Sequence, residues 1–185
     1  MDAKYYKKYE PIFGTWKIVK EIGSGGFGRV FELEKEEFGE TYRTALKAIT
    51  VPADDDDLRN TMNSERLTME EAAGYFQGIV EDMAHEFSIM AKLKGNSNIV
   101  SYEDHQVIPH EKGIGWDILI RMELLTPLLD HIRDNGIDED EVIRLGIDMC
   151  RALELCDKRN IIHRDIKPEN IFVSDLGNFK LGILE

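Results

Sequence analysis

No stretch of the chain approaches the roughly 20 consecutive apolar residues that a membrane-spanning helix needs. The opening MDAKYYKKYEP also lacks the apolar core of a secretory signal. Cysteine is scarce: Cys150 and Cys156 are the only two, six positions apart in a strongly helical stretch where their side chains point in different directions. That excludes a disulfide framework and predicts two reduced, partly buried thiols. Positive charge is short as well, 23 Lys and Arg against 36 Asp and Glu, for a net charge of −13. A chain this acidic repels phosphate backbones, and no basic patch compensates, so nucleic acid is excluded as a partner. Repeats and low-complexity segments are missing too. These absences lead to the expectation of a soluble, cytoplasmic protein without a membrane segment; nothing in the pattern specifies an oligomeric state.

What is present is ordinary globular material. The 185 residues, 42% hydrophobic and 32% charged, suffice for one large domain or two small lobes. The densest charge run, Asp54 to Asp57, reads as a solvated loop. A metal site is the lesser alternative there, because adjacent carboxylates without a Gly turn or spaced ligands form no cage.

Residues 16 to 51 read as three short strands in an antiparallel meander, with WKIVKEIG and RVFELEKEE flanking a glycine-rich turn and TYRTALKAITV following. A polar insertion, Ala53 to Thr68, precedes a long helical pattern in which Phe76, Val80, Met83, Phe87, Met90 and Leu93 recur at three- and four-residue steps, with Gly95 as the stop. IVSYEDHQVI and GWDILIRMEL read as two more strands. Five strands and one helix make a compact α+β lobe. After LLTP the pattern turns helical. The segment from residue 138 to 160 starts acidic and ends basic, as the helix dipole favours. Its polar residues Arg144, Asp148, Arg151 and Lys158 form one narrow stripe. Val142, Ile143, Leu145, Ile147, Met149, Leu153 and Leu155 occupy the rest of the circumference, which predicts neighbours on several sides.

Three motifs carry chemistry. IGSGGFGRV, Ile22 to Val30, spaces glycines at 23, 25 and 28 so that the backbone can approach phosphate oxygens closely. A dinucleotide-binding turn demands that a helix follow at once; here a strand follows, so the loop reads as a hairpin lid. Lys47 stands mid-strand in ALKAI. It is either a lysine on the solvent face of an edge strand or a buried-side lysine that needs a counter-charge, for which Glu86 on the long helix is the candidate. Glu86 is placed on the apolar-facing side of that helix, with a surface glutamate as the alternative. The third motif, IIHRDIKPENIFV, sets His163, Arg164, Asp165, Lys167 and Asn170 in a tight loop between a helix and a short strand. Within it an aspartate can accept a hydroxyl proton, a lysine can neutralise a transferring phosphate, and an asparagine oxygen can meet magnesium.

In this order, and with this spacing, the motifs resemble those of a eukaryotic-type protein serine/threonine kinase from about Trp16 to Gly182. IGSGGFGRV is similar to the glycine-rich loop, ALKAI to the V-A-I-K strand 17 positions after Val30, and HRDIKPEN to the catalytic loop. Small-molecule phosphotransferases of the same fold typically read H-G/N-D with different following residues. The resemblance implies a protein-kinase-like α+β fold, with a five-stranded antiparallel sheet and one long helix in a small lobe joined to an incomplete, mainly helical large lobe. Residues 1–122 are then the small lobe, 123–127 the hinge and 128–185 the start of the large lobe. It implies ATP and Mg2+ as cofactors and a protein Ser/Thr hydroxyl as substrate. Ile22, Gly23, Ser24, Gly25, Gly26, Phe27 and Gly28 would cover the phosphates, Lys47 would hold the α- and β-phosphates, and Glu86 would pair with Lys47. Val30 and Ala45 would sandwich adenine, the backbone of Glu123 to Leu125 would read its edge, and Met122 would gate the back of the pocket. Asp165 would be the catalytic base with Lys167 beside it, and Asn170 a metal ligand. The placing of Lys167 resembles the Ser/Thr rather than the tyrosine class.

One position departs from the pattern. The D-F-G aspartate of the family falls thirteen residues after Asn170, where this sequence has Ile183, after an FKLG strand in register. The expectation is a chain truncated at that position and inactive as it stands; a pseudokinase or nucleotide-binding scaffold is the alternative.

Overall fold

The structure is a computed structural model that describes residues 1–25 and 28–182. The chain divides into two compact units, Met1–Ile89 with Glu103–Met122, and Met90–Tyr102 with Glu123–Glu185.

The first unit is built on a five-stranded sheet of β1 (Lys17–Gly25), β2 (Gly28–Glu37), β3 (Glu40–Val51), β4 (Tyr102–Pro109) and β5 (Trp116–Met122), in the order β1-β2-β3-β5-β4. The meander pairs antiparallel, and β5 joins β3 antiparallel. Side chains alternate between faces along each strand, so register decides which residues share a face. Phe31 pairs with Leu46 and Ala48 with Leu119, and these residues, with Leu33, form one buried face. Tyr6, Ile12 and Trp16, from the segment holding α1 (Ala3–Tyr6), complete that core. The other face carries Val30, Ala45, Lys47, Ile120 and Met122, matched by the pairings Val30 with Lys47, Lys47 with Ile120, and Ala45 with Met122.

Asp117 holds the N-terminal segment down. It is fully buried, and it accepts hydrogen bonds from the hydroxyls of Tyr5 (2.7 Å), Tyr9 (2.5 Å) and Thr50 (2.6 Å). Lys8 Nζ and His110 Nε2 each lie 3.3 Å from its carboxylate. Burial alone would raise this carboxyl, but the hydroxyls of Thr50, Tyr9 and Tyr5 and the charge of His110 outweigh it and hold it below the ordinary 3.8. Burial and the bond to Asp117 push the Tyr9 phenol up to about 12.

The aspartate run is not a loop. Asp54 caps α2 (Asp55–Glu65), accepting from Asp57 N at 2.8 Å, while Asp57 accepts from Ala53 N at 2.9 Å. Carboxylates gathered at a helix start satisfy its unpaired N–H groups and face the positive end of its dipole. The polar insertion is thus mostly helix. Thr68 and Glu71 cap the next helix reciprocally, Thr68 N donating to Glu71 at 2.8 Å and Glu71 N to Thr68 Oγ1 at 3.3 Å. That helix, α3 (Met69–Leu93), buries Phe76, Val80, Phe87, Met90 and Leu93 and stops before Gly95, whose φ of +87° lets the chain turn away.

The second unit contains α4 (Leu128–Asn135) and α5 (Glu139–Lys158), with a small sheet of β6 (Thr126–Pro127), β7 (Ile171–Val173) and β8 (Phe179–Leu181). On α5 the expected polar stripe is broken. Asp148 is buried, accepting from Phe179 N at 3.1 Å and from Arg151 at 3.2 Å, because β8 presents a backbone donor to that side of the helix. Ala152 and Cys156 are buried with it, while Val142, Ile143 and Ile147 are about half exposed at 51%, 55% and 47%. The two thiols differ likewise. Cys156 is buried, which raises its pKa, whereas Cys150 is exposed rather than partly buried because it follows Ile143 and Ile147 around the outer side of α5.

Candidate functional site

In the first unit the glycine-rich segment spans the end of β1 and the start of β2. Ile22, Gly23, Ser24 and Gly25 end β1, and Gly28 and Val30 begin β2, with Gly25 paired to Gly28 and Gly23 to Val30. Gly26 and Phe27 lie outside the described residues. The glycines are not equivalent. Gly28 has φ +113°, and a Cβ there would stand 2.3 Å from the Ala48 carbonyl oxygen, so no side chain fits. Among the described residues, a Cβ on Gly25 would meet nothing within 4 Å.

Lys47 is half-buried in β3, on the face opposite the core that Tyr6, Ile12 and Trp16 complete, flanked across the strands by Val30 and Ile120. Ala45 shares that face, opposite Met122. Thr44, on the other side of β3, donates its hydroxyl to the Met122 carbonyl at 2.5 Å, pinning the end of β5. Glu86 is exposed, where the sequence placed it on the apolar side of α3. Successive helical residues are about 100° apart, so Phe87 can be buried while Glu86 turns outward. Its carboxyl head is nonetheless partly desolvated. That raises its pKa above the ordinary 4.5, against the opposing pull of the Lys47 charge. Lys47 and Glu86 therefore feel each other electrostatically.

The second unit assembles the loop from residue 161 to Asn170. Asn170 Nδ2 donates to the Asp165 backbone oxygen at 3.0 Å and to its Oδ2 at 2.5 Å. Lys167 Nζ lies 2.6 Å from the same Oδ2. His163 fixes the loop from the other side: its Nδ1 accepts from Asp165 N at 3.3 Å, which leaves Nε2 to donate to the Gly182 carbonyl at 2.5 Å. Gly182 N in turn donates to the Asn170 carbonyl at 2.8 Å. Arg164, between them, has φ +66° and is exposed. The three residues singled out in this motif thus meet at one carboxylate. With its Nδ2 committed to Asp165, the Asn170 amide is oriented by that pair of bonds. Its Oδ1 and the Asp165 carboxylate are hard oxygen donors, suited to a small cation that brings its own water and phosphate ligands. Among the described residues no group of three or more His, Cys, Asp or Glu forms a closed metal cage.

Glu123 and Leu125 follow β5 as half-buried residues. Glu123 N donates to the Ser101 carbonyl at 3.0 Å, and its carboxylate accepts from Ser101 N at 2.5 Å and from Lys180 Nζ at 2.8 Å. Sequence reasoning missed Lys180, Ser101 and Asp148, whose partners lie 57, 22 and 31 positions away. The only signal was a lysine between two apolar residues, Phe179 and Leu181.

Among the described residues no helix is long and apolar enough to cross a membrane. The protein kinase domain family model matches residues 16–182. The chain is 30% identical over 183 residues to the serine/threonine-protein kinase AKL1 of Saccharomyces cerevisiae, covering 91% of this chain and 15% of that protein. Over 164 residues it is 28% identical to the serine/threonine-protein kinase pakA of Dictyostelium discoideum, covering 89% and 11%. It is also 25% identical over 169 residues to cyclin-dependent kinase 20 of Danio rerio, covering 90% and 41%. The chain therefore spans well under half the length of each of these relatives.

Proposed function

From the premise that the chain belongs to the protein kinase family, we propose that it binds ATP with Mg2+ and that the protein carrying it transfers the γ-phosphoryl group to Ser or Thr hydroxyls of a protein substrate. The observation that carries this reading is the meeting of Lys167 Nζ and Asn170 Nδ2 on the Asp165 carboxylate, at 2.6 and 2.5 Å. A lone aspartate on a surface loop needs neither partner.

On this reading residues 1–122 are the small lobe, 123–127 the hinge and 128–185 the start of the large lobe. Gly23, Gly25 and Gly28 let the β1–β2 turn cover phosphates, with Ile22, Ser24, Gly26 and Phe27 around them; that no described atom lies within 4 Å of a Cβ on Gly25 supports this. Lys47 meets the α- and β-phosphates and is steadied by the Glu86 charge. Val30, Ala45 and Met122 share the Lys47 face and contact adenine, while the Glu123 and Leu125 backbone reads its edge. Asp165 accepts the proton of the substrate hydroxyl as that oxygen bonds to the γ-phosphorus; the bond from phosphorus to the β–γ bridging oxygen breaks, and ADP leaves. Lys167 neutralises charge gathering on the transferred group, and Asn170 both holds Asp165 in place and offers Oδ1 to the metal. Magnesium, when bound, screens the phosphate oxygens.

Ile183, outside the described residues, has no side-chain oxygen for a second metal contact. This favours nucleotide binding without sustained transfer by the 185-residue chain. Thermal-shift titration with ATP, with and without Mg2+, tests binding: stabilisation at millimolar ATP is expected, and none overturns the nucleotide reading. Phosphoryl transfer by the protein that carries this segment should fall by about 10³-fold in Asp165→Asn. Undiminished transfer by that variant refutes the role given to Asp165.

A further inference from the structure

Lys180 sits in the middle of β8, and its ammonium lies 2.8 Å from both carboxylate oxygens of Glu123. The pair is largely buried, the side chains 12% and 24% exposed. Glu123 is also stitched to Ser101 by the two bonds described above, so one carboxylate joins three separate segments. β8 itself is fixed on both sides. It pairs with β7, and Leu181 exchanges backbone bonds with the 98–100 segment, donating to Asn98 at 2.9 Å and accepting from Val100 at 3.0 Å. Asn98 donates its side-chain amide to the Phe179 carbonyl at 3.1 Å. Two residues beyond Lys180, Gly182 holds His163 and Asn170.

We infer that Lys180 is a positioning residue for base recognition: by clamping the Glu123 carboxylate, it fixes the direction of the 123–125 backbone, whose peptide groups would read the adenine edge. The inference rests on the nucleotide reading given above. Stability alone is a poor guide to such a pair, because an ion pair that is largely buried contributes little net, while breaking it leaves a charge unpaired. Recognition is the better one. Hydrogen bonds to a base edge discriminate only while their donor and acceptor keep a fixed direction, and phosphate binding is indifferent to that direction. Removing the clamp should therefore cost adenine selectivity and spare the affinity for phosphate.

The experiment titrates the chain with ATP, GTP and inorganic tripolyphosphate, comparing Lys180→Met, Lys180→Arg and the isosteric Glu123→Gln, with melting curves run on each. Lys180→Met and Glu123→Gln are expected to weaken ATP binding roughly tenfold, the loss of about one directed hydrogen bond. The ATP-over-GTP ratio falls with it, tripolyphosphate binding is unchanged, and Lys180→Arg restores both ATP affinity and ratio. A folded Lys180→Met or Glu123→Gln with an unchanged ATP-over-GTP ratio overturns the inference and leaves the nucleotide reading standing. So does an equal loss for all three ligands. Should Lys180→Met fail to fold, Glu123→Gln decides alone. Failure of the unaltered chain to bind ATP at all overturns the nucleotide reading and this inference with it.

Discussion

At Ser24 and Gly25 and again from Gly28 to Val30 the first unit holds its chain chiefly through a backbone ladder, whereas between His163 and Asn170 the second unit relies on side chains. The hairpin cannot take a side chain at Gly28, whose bare Cα packs against the Ala48 carbonyl. The Asp165 loop has the opposite sensitivity. It carries no regular ladder until the short turn at Pro168–Asn170, so an imidazole, an amide and an ammonium do the work of strand pairing. A segment meant to lie close over a ligand benefits from small, uniform backbone. One that must hold a reactive carboxylate benefits from directed polar contacts.

That contrast can be broken from either side. The largest effect is expected from Gly28→Ala: the new Cβ at 2.3 Å from a carbonyl oxygen and the left-handed φ together destabilise the first unit by about 3 kcal/mol. Gly25→Ala, three positions earlier in the same motif, should cost no more than about 0.5 kcal/mol, because its Cβ meets none of the described residues within 4 Å. Denaturant titrations of the two variants check the difference, and similar losses would show that the hairpin is not limited by backbone approach. Next in size is Asp148→Ala in the second unit. Losing the acceptor of Phe179 N leaves a buried donor unpaired, at about 2 kcal/mol by the same titration. A neutral result there would mean that β8 does not lean on α5.

A smaller effect than that of Asp148→Ala, about 1 kcal/mol at neutral pH, is expected from Asp117→Asn, and its signature is pH dependence. Asp117 has a folded pKa below its ordinary 3.8. Its contribution is therefore complete above about that pH and is lost as pH falls through the lower folded value. Tyr9, pushed up from 10.0 to about 12, gives the alkaline counterpart: stability is complete below pH 10 and is lost as pH rises toward about 12. Melting temperature against pH should show both limbs in the unaltered chain. The acid limb should flatten in the variant, and an unchanged acid limb would rule out Asp117 as its source.

The five strands of the first unit, α3, α5 and the loop carrying Asp165 were legible in the sequence, because each is written in neighbouring residues: alternation, a three-to-four-residue period, or a compact polar motif. α2 was not, since four aspartates were weighed as charge and not as a helix start, although Asp54 and Asp57 stand at the spacing of a reciprocal cap. Asp148 was misplaced for a different reason. A helical wheel sorts it with Arg144 and Arg151, and only the fold supplies the Phe179 amide that draws it inward. Glu86 erred by one step of the same wheel. The Asp117 cluster lay beyond local reading altogether, since Tyr5 and Tyr9 come from more than 100 positions away. What remained illegible was polar and long-range, where a donor and its acceptor share no sequence pattern.

The N-terminal segment also gives the molecule an optical label. Trp16, 7% exposed, packs in the core that this segment completes, with Lys35 Nζ at 5.3 Å and the Arg121 guanidinium at 5.2 Å from its ring. The other tryptophan, Trp116, is half-buried at the start of β5. Lifting the first sixteen residues off the sheet would carry one indole from an apolar, cation-flanked setting into water and leave the other where it stands. The emission of this chain can thus register the seating of its own N-terminus without any added probe.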